Sequence, residues 1–185
     1  MTSIPLIAVV GNPNAGKSAL FNMLTGARQK VGNYPGVTVE RKSGRLALPD
    51  GRPIELVDLP GAYSLDPSSP DEEVTRDVVI GRQQGERLPD ALLIVLDASN
   101  LDNHLRFALQ LIALGLPTVV ALNMVDLARR DGLVLDPQRL EQELGVPVIE
   151  TVAVRRWSHT IDSIVLHPLA GPLILAAIMF LMFQA

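Results

Sequence analysis

The chain contains no cysteine, which excludes disulfides, thiolate metal sites and thiol nucleophiles, and is compatible with a reducing cytosolic setting. It has no excess of positive charge: 16 Lys and Arg face 20 Asp and Glu, a net charge of −4, so no overall basic field draws in DNA or RNA. Arg41, Lys42 and Arg45 form a local basic trio that reads as a solvated strand edge. There is no internal repeat and no low-complexity segment. The N-terminus reaches an apolar run by Ile4 without a charged region, an apolar core and a cleavage site, so no secretory signal is expected there. The histidines, His104, His159 and His167, are scattered, which removes a metal-ligand cluster and marks each as a surface or interfacial residue. No Ser-His-Asp or paired-carboxylate arrangement stands out, and Asp71-Glu-Glu73 reads as the first turn of a helix, where negative charge is favoured.

What is present is a length of 185 residues, enough for one domain with a buried core and a short appendage. Apolar runs at Ile4–Val10, Ile54–Val57, Leu92–Leu96, Thr118–Leu122 and Val146–Ile149 lack strict alternation, as strands covered on both faces do. Helical segments are expected at Lys17–Thr25, Asp71–Gly81, Asp102–Leu114 and Pro137–Leu144, the last punctuated by Asp136, Pro137 and Gly145. Thr38–Leu48 meets Ile54–Val57 across Pro49-Asp50-Gly51 as an antiparallel pair. The expected fold is α/β, a three-layer arrangement with a mixed, mostly parallel sheet and a C-terminal apolar helical tail. Val31–Val39 and Pro60–Pro70 are read as long loops, which in a compact domain usually serve function.

Gly11-Asn12-Pro13-Asn14-Ala15-Gly16-Lys17-Ser18 follows the first apolar run and opens a helix at Ala19. Two glycines four residues apart let several N–H groups point inward at a helix N-terminus, which suits a di- or triphosphate. Lys17 can reach the terminal phosphates, and the Ser18 hydroxyl can ligate the Mg2+ that a polyphosphate carries. Asp58-Leu59-Pro60-Gly61 closes the strand Ile54–Val57, forty-one residues beyond Lys17; Asp58 can hold the metal through a water and Gly61 N–H can face the terminal phosphate. Thr38, beside Gly36 and Val37 in the first long loop, is the second candidate metal ligand, its N–H toward the terminal phosphate, so that this loop is expected to be ordered only in the triphosphate state. Thr25 and Thr118 are structural by position.

Asn123-Met124-Val125-Asp126 ends the strand Thr118–Leu122. A carboxylate at Asp126 can accept from the ring N–H and the amine of guanine, while Asn123 bonds the base and braces the phosphate loop. Adenine offers an acceptor there and would leave the carboxylate unpaired. In the loop after Val146–Ile149, at Val152, Ala153 and Val154, the Ala153 N–H is a candidate for the guanine oxygen.

Together Gly11–Ser18, Val31-Gly-Asn-Tyr-Pro-Gly-Val-Thr-Val-Glu40, Asp58-Leu-Pro-Gly-Ala-Tyr-Ser-Leu65 and Asn123–Asp126 resemble the cytosolic GTPase domain of the bacterial ferrous iron transport protein B (FeoB) family. The resemblance covers roughly residues 1–156. It implies a P-loop GTPase (Ras-like) fold and a GTP- and GDP-binding domain joined to an inner-membrane transporter, on the cytoplasmic side, with nucleotide state controlling iron uptake and small cytosolic Feo accessory proteins as partners. Ala62 stands where many small GTPases carry a water-positioning glutamine, so turnover should be slow. The resemblance implies K+ beside the phosphates with Asn14 as its ligand, and makes Asn14, Lys17, Thr38 and Gly61 the catalytic set.

Residues 157–167 read as a linker and 168–185 as a truncated transmembrane-like helix. Leu169–Phe183 carries no charge, yet fifteen residues of helix span about 22 Å against a hydrocarbon core of about 30 Å. The lead-in Ile161–Pro172 resembles that of the family's first membrane helix but follows Arg155-Arg-Trp-Ser158 directly. The expectation is therefore a truncated or internally deleted member attached to the membrane by its tail. Two rival readings share the nucleotide motifs: a soluble ribosome-assembly-type regulatory GTPase, and a non-catalytic membrane-associated remnant.

Overall fold

Leu6–Val10 (β1) lies at the centre of a seven-stranded sheet, with Ala8 opposite Val57 on one side and Leu92 on the other. The structure is a computed structural model that describes residues 4–26 and 29–153. Chain order is β1, α1 (Lys17–Thr25), β2 (Gln29–Asn33), β3 (Glu40–Ala47), β4 (Pro53–Asp58), α2 (Pro70–Val79), β5 (Ala91–Asp97), a 3-10 turn at Ala98–Asn100, α3 (Leu101–Ile112), β6 (Thr118–Asn123), α4 (Val125–Arg130), α5 (Pro137–Leu144) and β7 (Val148–Glu150). Strand order is β2-β3-β4-β1-β5-β6-β7, antiparallel in the pairs β2–β3 and β3–β4 and parallel elsewhere.

The apolar strands are buried on both sides, which is why they lack polar alternation. Ala8, Val10, Val57, Ile94, Leu96, Val120 and Leu122 share a cluster with Val74 and Val78 of α2, Phe107 and Leu111 of α3, and Val125 and Ala128 of α4. Val9, Leu56, Val95 and Ala121 belong to the opposite cluster with Leu20 and Phe21 of α1. Every parallel strand thus runs out at the same rim, where β4 ends on Asp58, β5 on Asp97 and β6 on Asn123. That rim is where ligands bind in sheets of this kind.

Several expectations are corrected. Val31–Val39 is not one loop: Gln29–Asn33 adds an edge strand to β3, and a tight turn follows at Tyr34–Val39. Because β2 takes the edge, β3 is internal. Arg41 is consequently half-buried and paired with Glu86 rather than solvated, while Lys42 pairs with Glu40 and Arg45 with Glu55. α4 was not foreseen; at six residues it is too short for a periodic signal. Thr25 and Thr118 are structural, their hydroxyls donating to Phe21 O and Leu116 O. Val154, His159, His167, the expected linker 157–167 and the expected tail 168–185 lie outside the described residues. Among the described residues no helix is long and apolar enough to cross a membrane.

His104 is not a surface residue either; it is 4% exposed, and its Nδ1 accepts from the Asp97 N–H at 3.1 Å. Burial holds its pKa below the ordinary histidine value, against the opposing pull of Asp97. A neutral ring is required, since protonated Nδ1 cannot accept. Its contribution to stability is complete above the unfolded pKa of about 6.5 and is lost as pH falls below that value toward the lower folded one. Urea unfolding should therefore show wild type losing more stability between pH 7.5 and 5.5 than His104→Gln does. Equal losses would contradict this role.

Candidate functional site: a nucleotide cleft at the strand ends

The phosphate loop is shaped by backbone that few side chains tolerate. Gly11, at φ 152°, passes so close to β5 that an added Cβ would come to 2.3 Å of Val95 O. Gly16, at φ 86°, would place a Cβ 2.3 Å from Asn123 Nδ2 and 3.1 Å from Met124 Cε. Asn14 is left-handed at φ 64° and exposed. Between them Asn12 and Ala15 are fully buried. The loop delivers the chain into α1 with Gly16 as N-cap and no side-chain cap, whereas Ser69 caps α2 and Asp136 caps α5. The first N–H groups of α1 are therefore left for a ligand, and an anion is what they attract.

Lys17 is 6% exposed and donates to Asn12 O at 2.7 Å. Burial pushes its ammonium down to about 8, partly offset by Asp58. Ser18 Oγ donates to Asp58 Oδ2 at 2.7 Å, while Asp58 Oδ1 is buried without a hydrogen-bond partner among the described residues. Burial also raises the Asp58 pKa, against the Ser18 hydrogen bond and the charges of Lys17 and Lys42. A buried carboxylate with a spare oxygen, next to a hydroxyl and with Thr38 on the same cleft wall, is a donor set made of hard oxygens. That chemistry fits Mg2+. The cleft has a volume of about 320 Å³, and Lys17, Ser18, Thr38, Asp58, Leu59, Pro60 and Gly61 all line it. Gly61 is also forced: a Cβ there would meet Pro13 N at 2.8 Å. Gly36 and Val37 are exposed beside Thr38. Ala19 sits in the first turn of α1, partly buried.

Asn123 Nδ2 donates to Ala15 O at 3.0 Å, tying the end of β6 to the phosphate loop. Its Oδ1 accepts from Thr151 Oγ at 2.9 Å, and Thr151 N–H donates to Leu122 O. Thr151 fixes which way the Asn123 amide faces. Sequence reasoning missed it, since a threonine after a short strand carries no local signal. Met124 is left-handed at φ 62° and starts α4, burying Val125 and leaving Asp126 exposed. Asp126 Oδ1 accepts from the Ala153 N–H at 2.8 Å, so the two groups expected to face a base lie side by side, with Val152 exposed next to them.

Glu72 was also missed as more than a favourable charge. It accepts from Tyr63 N–H, Ser68 N–H and Ser68 Oγ at 3.1, 2.8 and 2.7 Å, which holds its carboxyl below the usual range. It thereby closes the stretch after Gly61 back onto α2. Asn14 lines an adjoining cleft with Pro13, Tyr63, Asn103 and His104, and Pro13 there packs against Gly61 of the phosphate cleft. Among the described residues no group of three His, Asp or Glu side chains could hold a metal ion by itself.

A mixed, mostly parallel sheet with an uncapped phosphate loop, a carboxylate at the end of β4 and an Asn-x-x-Asp loop at the end of β6 defines the fold of a P-loop GTPase domain. The family model described as ferrous iron transport protein B matches residues 5–164. The chain belongs to the FeoB family. It is 46% identical over 153 residues to the Fe(2+) transporter FeoB of Salmonella typhimurium and to that of Shigella flexneri, covering 80% of this chain and 19% of each relative. It thus spans about a fifth of the length of these curated relatives. Solved structures agree. The cytosolic domain of L. pneumophila FeoB is 45% identical with a TM-score of 0.73, over 80% of this chain and 62% of that one. The cytosolic domain of the T. maritima FeoB iron transporter in its GMPPNP form is 38% identical with a TM-score of 0.75, over 82% and 57%. A mutant of S. thermophilus NFeoB bound to GDP is 44% identical with a TM-score of 0.74, over 84% and 57%.

Proposed function

We propose that this chain binds and hydrolyses GTP as the GTPase domain of a FeoB-type transporter, coupling nucleotide state to ferrous iron uptake. The observation that carries this reading is Asp58, buried, half unpartnered and joined to Ser18 at the mouth of an uncapped helix. That arrangement asks for a cation and a polyphosphate together. The GDP and GMPPNP forms of relatives support guanine nucleotides as the ligand.

In this reading Gly11 to Ala19 and residues 58–61 cradle the phosphates, Asn123 to Asp126 with Val152, Ala153 and Val154 take the guanine, and Gly36 to Thr38 close over the terminal phosphate. Mg2+ would be held by Ser18, Thr38 and, through water, Asp58; it supplies neutralisation of charge on the phosphate oxygens. Lys17 pairs with the terminal phosphates and Gly61 N–H orients them. Ala62 is fully buried and apolar, so it cannot position water. Slow turnover and stimulation by K+ held at Asn14 follow, the monovalent ion offsetting charge that develops between phosphates. The GTPase domain would occupy residues 1–156 on the cytoplasmic side of the bacterial inner membrane. Residues 157–167 would lead to a membrane-associated segment at 168–185, with small Feo accessory proteins as partners.

Hydrolysis by the detergent-solubilised chain in K+ and then Na+ buffer tests this. Turnover should rise at least about tenfold in K+, and Asn14→Ala should lose the increment while still binding GDP. Nucleotide binding without any turnover in either salt would leave a binding module, not an enzyme.

A further inference from the structure

Tyr34 is 1% exposed although it lies in the turn between β2 and β3, and it shares a buried cluster with Val39, Leu59, Ala62, Val74 and Val78. A turn that sends its aromatic side chain into the core beside α2 is fixed at that point, because withdrawing the ring re-exposes a large apolar area. Tyr34 N–H donates to Val39 O at 3.0 Å, and Tyr34 O accepts from Val37 N–H at 3.3 Å. Thr38 is thus enclosed in a short ring of main-chain bonds, with Gly36 at φ 81° making the bend.

A second attachment lies on the other side of Thr38. Arg41 Nε and Nη2 donate to the two oxygens of Glu86 at 2.5 and 3.1 Å, with side chains 23% and 11% exposed. A two-pronged pair this far out of water holds its geometry better than an exposed one. Glu86 lies in the connection between α2 and β5, and in the same connection Gly85 lies against Pro35, where an added Cβ would come to 3.0 Å of Pro35 Cγ. The loop carrying Thr38 is therefore tied to α2 and the segment after it at Tyr34, Pro35 and Arg41. None of these residues reaches the cleft lining that Thr38 shares.

We infer that Tyr34, Arg41 and Glu86 are positioning residues that hold Thr38 over the phosphate end of the cleft, so that preference for triphosphate over diphosphate depends on the α2–β5 connection. This rests on the GTPase reading. Thr38 would touch only the metal and the terminal phosphate, so a loosened loop weakens triphosphate binding and spares diphosphate binding.

Binding of GMPPNP with Mg2+ and of GDP by the full chain tests it, in wild type, Arg41→Gln, Glu86→Gln and Arg41→Lys. The Gln variants should lose about tenfold in GMPPNP affinity relative to GDP, the size of one charge-assisted hydrogen bond. Arg41→Lys, which keeps the charge but not the fork, should recover part of the loss. Hydrogen exchange without nucleotide should speed up at the Tyr34 and Val37 amides in Arg41→Gln by at least about tenfold. Equal losses for both nucleotides, or unchanged exchange at those amides, overturns the inference. If wild type binds no guanine nucleotide, the GTPase reading falls, and unchanged or accelerated exchange still decides whether Arg41 anchors the loop.

Discussion

Lys17→Met should produce a domain that is more stable empty and nearly blind to nucleotide. Lys17 is 6% exposed, and burial brings its pKa down to about 8 from 10.5. Keeping it charged at neutral pH therefore costs about 3 kcal/mol. Its hydrogen bond to Asn12 O returns about 1 kcal/mol. Methionine fills similar space without the charge, so the empty variant should gain about 2 kcal/mol and melt several degrees higher. Under the proposed function the same change removes the buried cation that pairs with the phosphates. GTP affinity should fall about a thousandfold, as expected when a buried charge loses its partner. Calorimetric melting with and without GTP measures both at once. The wild type should be raised by GTP and the variant should not; a variant that melts lower when empty would mean that the lysine is a structural strut.

Asp126→Asn should change which base is accepted while leaving the fold intact. Asp126 Oδ1 accepts from Ala153 N–H at 2.8 Å, and an asparagine keeps that acceptor. What it loses is the second acceptor that guanine's N–H groups require. In its place stands an N–H2 donor, suited to xanthine, which carries an oxygen where guanine carries an amine. GTP binding should weaken by about three to four orders of magnitude, with XTP binding gained, because a site built around hydrogen bonds rejects a partner that leaves them unmade. Displacement of a fluorescent guanine nucleotide from wild type, and of a fluorescent xanthine nucleotide from the variant, reads this out. Equal loss for both bases would place Asp126 outside the base contact.

The residues that sequence reasoning found are those whose chemistry is local. β1, β4, β5 and β6 announce themselves as apolar runs because helices cover both their faces, and their ends coincide with the motifs because the rim is where the chain stops being buried. Gly16 and Lys17 carry spacing that few other structures need. What was hidden depends on residues distant in sequence. β2 is polar and exposed, Gln29-Lys30-Val31-Gly32-Asn33, and only its pairing with β3 makes it a strand. Tyr34 looks like part of a surface loop until α2 is placed beside it. Glu72 reads as a first-turn charge, yet its oxygens reach Tyr63 and Ser68. His104 reads as exposed because its α3 neighbours Asp102 and Asn103 are polar, and Asp97 lies seven residues away around a turn.

The contact between Gly16 and Asn123 has no room for a methyl group, so the part of the cleft suited to phosphates and the part suited to a base share a wall. Two half-sites on one rigid wall behave as a chelator toward any molecule that spans them. Once one end is captured, the other is presented at a high effective concentration and needs no further search. A nucleoside or a free polyphosphate engages only one half and forgoes that advantage. Under the proposed function, discrimination would then be a property of the intact nucleotide rather than of its base or its phosphates alone.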